Sequence, residues 1–128
     1  MNIDKMNYVD KAEDVIKNKI KRGAKNNRIE LTTNQIRNIL ELVNELYDMV
    51  RTVPEESLTD NVLTHIQYIR MKIVYAAAKD APVKDLIEKS GLVNELKSVG
   101  NSRENLILLC RYTEALVAYH KYYSEEKN

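Results

Sequence analysis

Apolar residues recur every three or four positions along nearly the whole chain, which is the period of a helix with one buried face. Val9, Ala12, Val15, Ile16 and Ile20 mark a first helix over about 8–21, ended by Gly23 and followed by a polar loop, 23–30. Ile36, Ile39, Leu40, Val43, Leu46, Tyr47 and Val50 mark a second, which Pro54 punctuates. A third opens at Ser57 or Thr59, runs to about Lys79, and carries Val62, Ile66, Ile69, Ile73, Ala76 and Ala77. Pro82 suits the first turn of a fourth, with Val83, Leu86 and Ile87 on its face and Gly91 as its stop. A short helical turn, 92–98, leads through Gly100 to a last helix from Ser102 through Tyr122. That helix is apolar on most faces (Leu106, Ile107, Leu109, Cys110, Leu116, Val117) and is expected at the centre. No strand-like alternation survives, so the expected fold is all-α, a compact bundle of about five helices with a tail, 124–128, that frays.

The second helix has the fullest start signal. Thr32 is the expected N-cap and Gln35 completes a capping box. Leu31 and Ile36 sit where a hydrophobic staple closes.

Composition narrows the class. At 128 residues the chain is expected to form one domain, residues 1–128, that buries ~65–70% of its unfolded surface. Charged residues make up 30%, with only 3 Gly and 2 Pro, a helical composition. One cysteine, Cys110, allows no internal disulfide, which fits a reducing, cytoplasmic setting. The opening MNIDKMNYVD is not a signal peptide, and the longest apolar run, LILLC at 106–110, is far too short to span a membrane.

Catalysis finds little support. The three glycines sit singly at helix ends, so no phosphate-binding loop forms, and no cofactor is implied. His65 and His120 have no neighbouring ligand at metal spacing, and both read as hydrogen-bonded structural histidines. Cys110 reads as a small core hydrophobe.

Charge is where the chain departs from an ordinary bundle. The net charge is +1, yet residues 17–38, KNKIKRGAKNNRIELTTNQIRN, hold seven basic residues against one acid, Glu30. A merely soluble face would intersperse acids. The 17–28 part includes Lys21, Arg22, Lys25 and Arg28, around a loop that packing does not oblige to be basic. In the third helix Tyr68, Lys72, Tyr75 and Lys79 form a stripe away from the core face. It suits a nucleic-acid backbone, with cations on phosphates and rings on bases, but taken alone it better fits a helix flank whose tyrosines pack on a neighbour and whose lysines are solvated, since such stripes are common on helical surfaces. Arg70 and Arg111 flank core stripes. Such arginines are either ion-paired or held to present the guanidinium fork, and Arg111–Glu114 and Arg37–Glu41 have helical pairing distance.

Three segments together resemble a known family: LTTNQIRNILELVNELYD (31–48), IQYIRMKIVYAAAKDAPVKDLIEKSGLVNEL (66–96) and LLCRYTEALVAYHKYY (108–123). They are similar to the small subunit of the type III-A CRISPR effector, the Csm complex. The resemblance implies a helical bundle without catalytic activity, several copies of which line up along the guide–target RNA duplex. RNA cleavage would belong to the backbone subunit, and DNA cleavage and cyclic oligoadenylate synthesis to the large subunit. This chain would hold the target RNA by its phosphates. Carried over, the contacts are Arg37 in QIRN, Arg70 and Lys72 in YIRMK, Lys79, and Arg111 in CRY, with Thr33 and Gln35 at a helix N-terminus that favours anions.

The implied partners are guide RNA, target RNA, copies of the chain itself and the backbone and large subunits, with no membrane. A modest first-helix stripe beside an apolar last helix leaves room for a homodimer by helix exchange. Two other classes fit the residues: a helical protein–protein adaptor whose basic patch meets an acidic partner, and a DNA-binding helix-turn-helix. The second is disfavoured because the connection from Gly23 to Leu31 exceeds a three- or four-residue turn.

Overall fold

In the computed structural model, residues 1–124 are described. They form helices α1 (Tyr8–Asp14), α2 (Thr33–Val50), α3 (Asp60–Lys79), α4 (Ala81–Ser90), α5 (Leu92–Ser98) and α6 (Arg103–Tyr123). The all-α expectation holds, with six helices because the 92–98 turn is a helix of its own. The tail beyond Ser124 lies outside the described residues.

The central place of α6 is confirmed. It packs against α1, α2 and α5 and buries Leu106, Leu109, Cys110, Tyr112, Thr113, Leu116 and His120. Helix α2 runs antiparallel to it. His120 Nε2 lies 2.7 Å from the Leu31 carbonyl at one end. At the other, the Arg103 guanidinium donates to the Val50 carbonyl at 2.9 and 3.1 Å, a cation set on the negative end of α2. A carbonyl only accepts, so Nε2 of His120 carries the proton. Helix α3 packs against α2, α4 and α5. Of its predicted core residues, Val62, Ile66, Ile69, Ile73 and Ala77 are buried and Ala76 is half-buried.

The caps behave as expected. Thr32 accepts from the Gln35 N–H at 3.1 Å while the Gln35 side chain accepts from the Thr32 N–H at 2.9 Å, which closes the capping box. Leu31 and Ile36 are both buried beside it. Thr59 and Ser102 cap α3 and α6 in the same way. Gly91 ends α4 with φ +67°, the left-handed conformation that favours glycine.

The first helix departs from the expected one. After Asp14 it widens into a π turn, Val15–Lys19, in which the Ile20 N–H donates to the Val15 carbonyl at 3.0 Å. The helix therefore stops at Ile20, which turns extended, and Gly23 is not its stop. Val9, expected in the buried stripe, is exposed. Tyr8, one position earlier, packs against the core instead.

Two buried carboxylates tie distant segments. Glu95 on α5 accepts from the Asn2 N–H at 2.6 Å and the Ile3 N–H at 3.3 Å, which seats Ile3 in the core. Asp85 on α4 accepts from the Lys21 N–H at 2.7 Å and from Lys89 Nζ at 2.8 Å. Tyr112, fully buried, donates its hydroxyl to the Ser90 carbonyl at 2.8 Å, and burial pushes its pKa up to about 12.

Candidate nucleic-acid interface

The basic stretch folds as a small ordered turn. Arg22 and Ile29 form an antiparallel bridge. Within it the Gly23 N–H donates to the Arg28 carbonyl at 2.7 Å and the Glu30 N–H to the Lys21 carbonyl at 3.1 Å. Asn26 Oδ1 accepts from the Arg28 N–H at 3.0 Å, and Asn27 takes φ +55°, a conformation that asparagine tolerates. A Cβ at position 23 would lie 2.6 Å from Asn26 Oδ1, so a larger residue there would push the Asn26 side chain off the Arg28 N–H.

This turn sorts its cations. Arg22 folds back, donating to the Asn27 carbonyl at 3.2 Å and the Lys17 carbonyl at 3.3 Å. Lys21 is fixed through its backbone by Asp85, with its ammonium exposed. Lys25 and Arg28 are exposed, and their side chains have no hydrogen-bond or ion-pair partner among the described residues.

One turn into α2, Arg37 is exposed and unpaired among the described residues. The Arg37–Glu41 pair that helical spacing allows is not formed. Arg111 on α6 is likewise exposed without an ion pair to Glu114. It lines a groove of about 750 Å³ together with Tyr8, Pro54, Ile107 and Leu108. Thr33 and Gln35 sit in the first turn of α2, where Gln35 is held by the capping box. The loop, the start of α2 and α6 thus carry cations without an ion-pair partner among the described residues.

The α3 group is separate, since α3 packs on α2, α4 and α5 rather than on α6. Arg70 is half-buried and donates to Gln67 Oε1 at 3.1 Å, without an ion pair among the described residues. Lys72 Nζ lies 5.2 Å from the Tyr68 ring centroid, and Lys79 Nζ lies 5.6 Å from that of Tyr75. These are cation–π distances. Both tyrosines are exposed, and the Tyr68 ring also lies 5.7 Å, centroid to centroid, from that of His65.

The residues with catalytic potential are committed elsewhere. His65 Nε2 meets Glu45 Oε1 at 3.1 Å across α2 and α3, and His120 holds the start of α2. Burial pushes the Cys110 thiol up to about 12, so it is protonated at neutral pH. Among the described residues no three His, Cys, Asp or Glu side chains gather as a metal site, and no helix is long and apolar enough to cross a membrane. Arg103, Asp85 and Glu95 were not singled out in the sequence. Arg103 had a faint signal in its place just after the Ser102 cap; the acids had none.

Fold and surface define an all-helical protein that buries two acids, Asp85 and Glu95, and groups exposed cations on its 21–28 loop and the start of α2. The model of the family Csm2 Type III-A matches residues 9–126. A Streptococcus thermophilus protein described as CRISPR system Cms protein Csm2 is 44% identical over 117 residues, 91% of each chain. The Mycobacterium tuberculosis protein of the same description is 36% identical over 122 residues, 95% of each chain. One from Enterococcus italicus is 35% identical over 96 residues, 73% of this chain and 68% of its own. The chain belongs to the type III-A Csm2 family, the small-subunit family that its three segments resemble.

Proposed function

We propose that the protein is a non-catalytic subunit of an RNA-guided type III-A ribonucleoprotein that grips the backbone of the guide–target RNA without reading sequence. The observation that carries this reading is the set of exposed cations on the loop, α2 and α6 that have no ion-pair partner among the described residues: Lys25, Arg28, Arg37 and Arg111, together with Lys21. A subunit reused along different guides gains from phosphate contacts, which position without specifying bases. Arg37 is the best placed of these. It projects from a helix whose capped N-terminus, with Thr33 in its first turn, adds partial positive charge toward the same anion. Arg22 and Gln35 support the surface, since their polar groups hold the turn and the cap. Arg70, half-buried and tethered to Gln67, is a further contact on the α3 side.

The partners on this reading are the guide and target RNA and the other subunits of the complex, in the cytoplasm. Family membership and the inward commitment of His65, His120 and Cys110 support the non-catalytic role. The test is capture of target RNA by the assembled complex across a salt series. Arg37→Ala and Arg111→Ala should each lower the slope of log affinity against log salt by about one, equally for unrelated target sequences. Unchanged slopes for both would overturn the assignment. The adaptor alternative draws on one observation of its own, the outer face of α3.

A further inference from the structure

Four of the large apolar side chains exposed on this protein stand together on α3: Tyr68 at 46%, Met71 at 59%, Val74 at 50% and Tyr75 at 66%. Tyr68, Met71, Tyr75 and Ala78 are spaced three, four and three residues apart, and all are exposed. That is an a/d seam over two heptads, on the side of the helix opposite Ile66, Ile69 and Ile73. Lys72 and Lys79 then occupy the two e positions along one edge, and Gln67 and Val74 the g positions along the other. After Asp60, α3 contains no acid.

We infer that this seam docks an amphipathic helix of another protein, one with an apolar stripe and an acidic edge lying against Lys72 and Lys79. Both lysines lack an acidic partner among the described residues, and flanking charges are what choose the partner of such a seam. RNA fits the same surface poorly. Each ammonium lies near a tyrosine ring, at 5.2 and 5.6 Å from the centroids, so a base stacking on that side would have to displace a cation. Met71 and Val74 stand between the cations and offer nothing to a phosphate. A second copy of α3 also fits poorly. Antiparallel pairing sets lysine against lysine, parallel pairing sets lysine against Gln67 or Val74, and two heptads fall short of the three or four a self-standing coiled coil needs.

The inference rests on the ribonucleoprotein reading only in taking the partner to be a subunit of that assembly. With p-benzoylphenylalanine in place of Tyr75, irradiation of the assembled complex should attach a peptide of another subunit that carries acidic residues beside an apolar stripe. Attachment to RNA, to a second copy of this chain, or to nothing overturns the proposal. Met71→Glu should lower the amount of that subunit retained on the purified complex by about tenfold, and Met71→Leu should restore it, with the thermal melt of the isolated protein unchanged because the site is exposed. If Met71→Glu instead weakens RNA capture while every subunit stays bound, the Tyr68–Ala78 seam is an RNA face and the docking proposal is wrong. The Arg37 and Arg111 salt slopes stand or fall independently of this result.

Discussion

Asp85 and Glu95 on one side, and Arg37 and Arg111 on the other, put opposite charges to opposite uses. The two carboxylates are nearly excluded from solvent and hold backbone N–H groups 64 and 93 residues away in sequence. The arginines are exposed and have no hydrogen-bond or ion-pair partner through their side chains among the described residues. No lysine or arginine is buried among the described residues, whereas two acids are. A chain of net charge +1 carries a basic patch because most of its acids stand elsewhere on the surface, with only Glu30 inside residues 17–38, and two more are buried. Net charge therefore understates what a partner meets.

The contrast can be broken by mutation. The largest effect should come from Glu95→Ala, which strands the Asn2 and Ile3 N–H groups and unseats Ile3. Urea unfolding should show a loss of about 3 kcal/mol, with Glu95→Gln recovering part because its amide oxygen still accepts. Asp85→Ala should cost about 2 kcal/mol, less because Lys89 regains water while only the Lys21 N–H is left wanting. Thr32→Ala, which opens the capping box at the base of the cationic surface, should cost about 1 kcal/mol. Arg37→Ala and Arg111→Ala should move stability by less than about 0.5 kcal/mol in the same assay. If either arginine substitution costs as much as Asp85→Ala, the division between internal acids and external cations is false.

Legibility in the sequence depended on the range of each interaction. The capping box, the staple and the Gly91 stop involve residues within a few positions of one another, so Leu31, Thr32, Gln35 and Ile36 were legible together. The core faces of α2, α3 and α6 were legible because periodicity alone decides which side is buried. Asp85 and Glu95 were not, because an acid on an amphipathic helix is ordinarily solvated and their partners are brought from the far end of the chain. The π turn left no trace in the residue pattern of 15–19. For the candidate surface, the grouping of cations was visible, but which of them were already engaged was not. Arg22 and Arg28 look alike in the sequence. One donates to two carbonyls of its own turn and the other meets solvent.

The widened turn at Val15–Lys19 has a consequence for the reading frame of that surface. A π turn closes its hydrogen bond over one residue more than an α turn, so it accommodates a single inserted residue while the helix before it keeps its seat on α6. Excising one residue there, for example Asn18, would let the segment relax to α geometry and rotate the chain downstream of it by about 100°. Lys19 and Lys21 would then point along new directions, and the Lys21 N–H would leave Asp85. The aim of the basic stretch is thus indexed by one residue of length upstream of it, and a family member of different length here should present its cations to a different quarter of the surface.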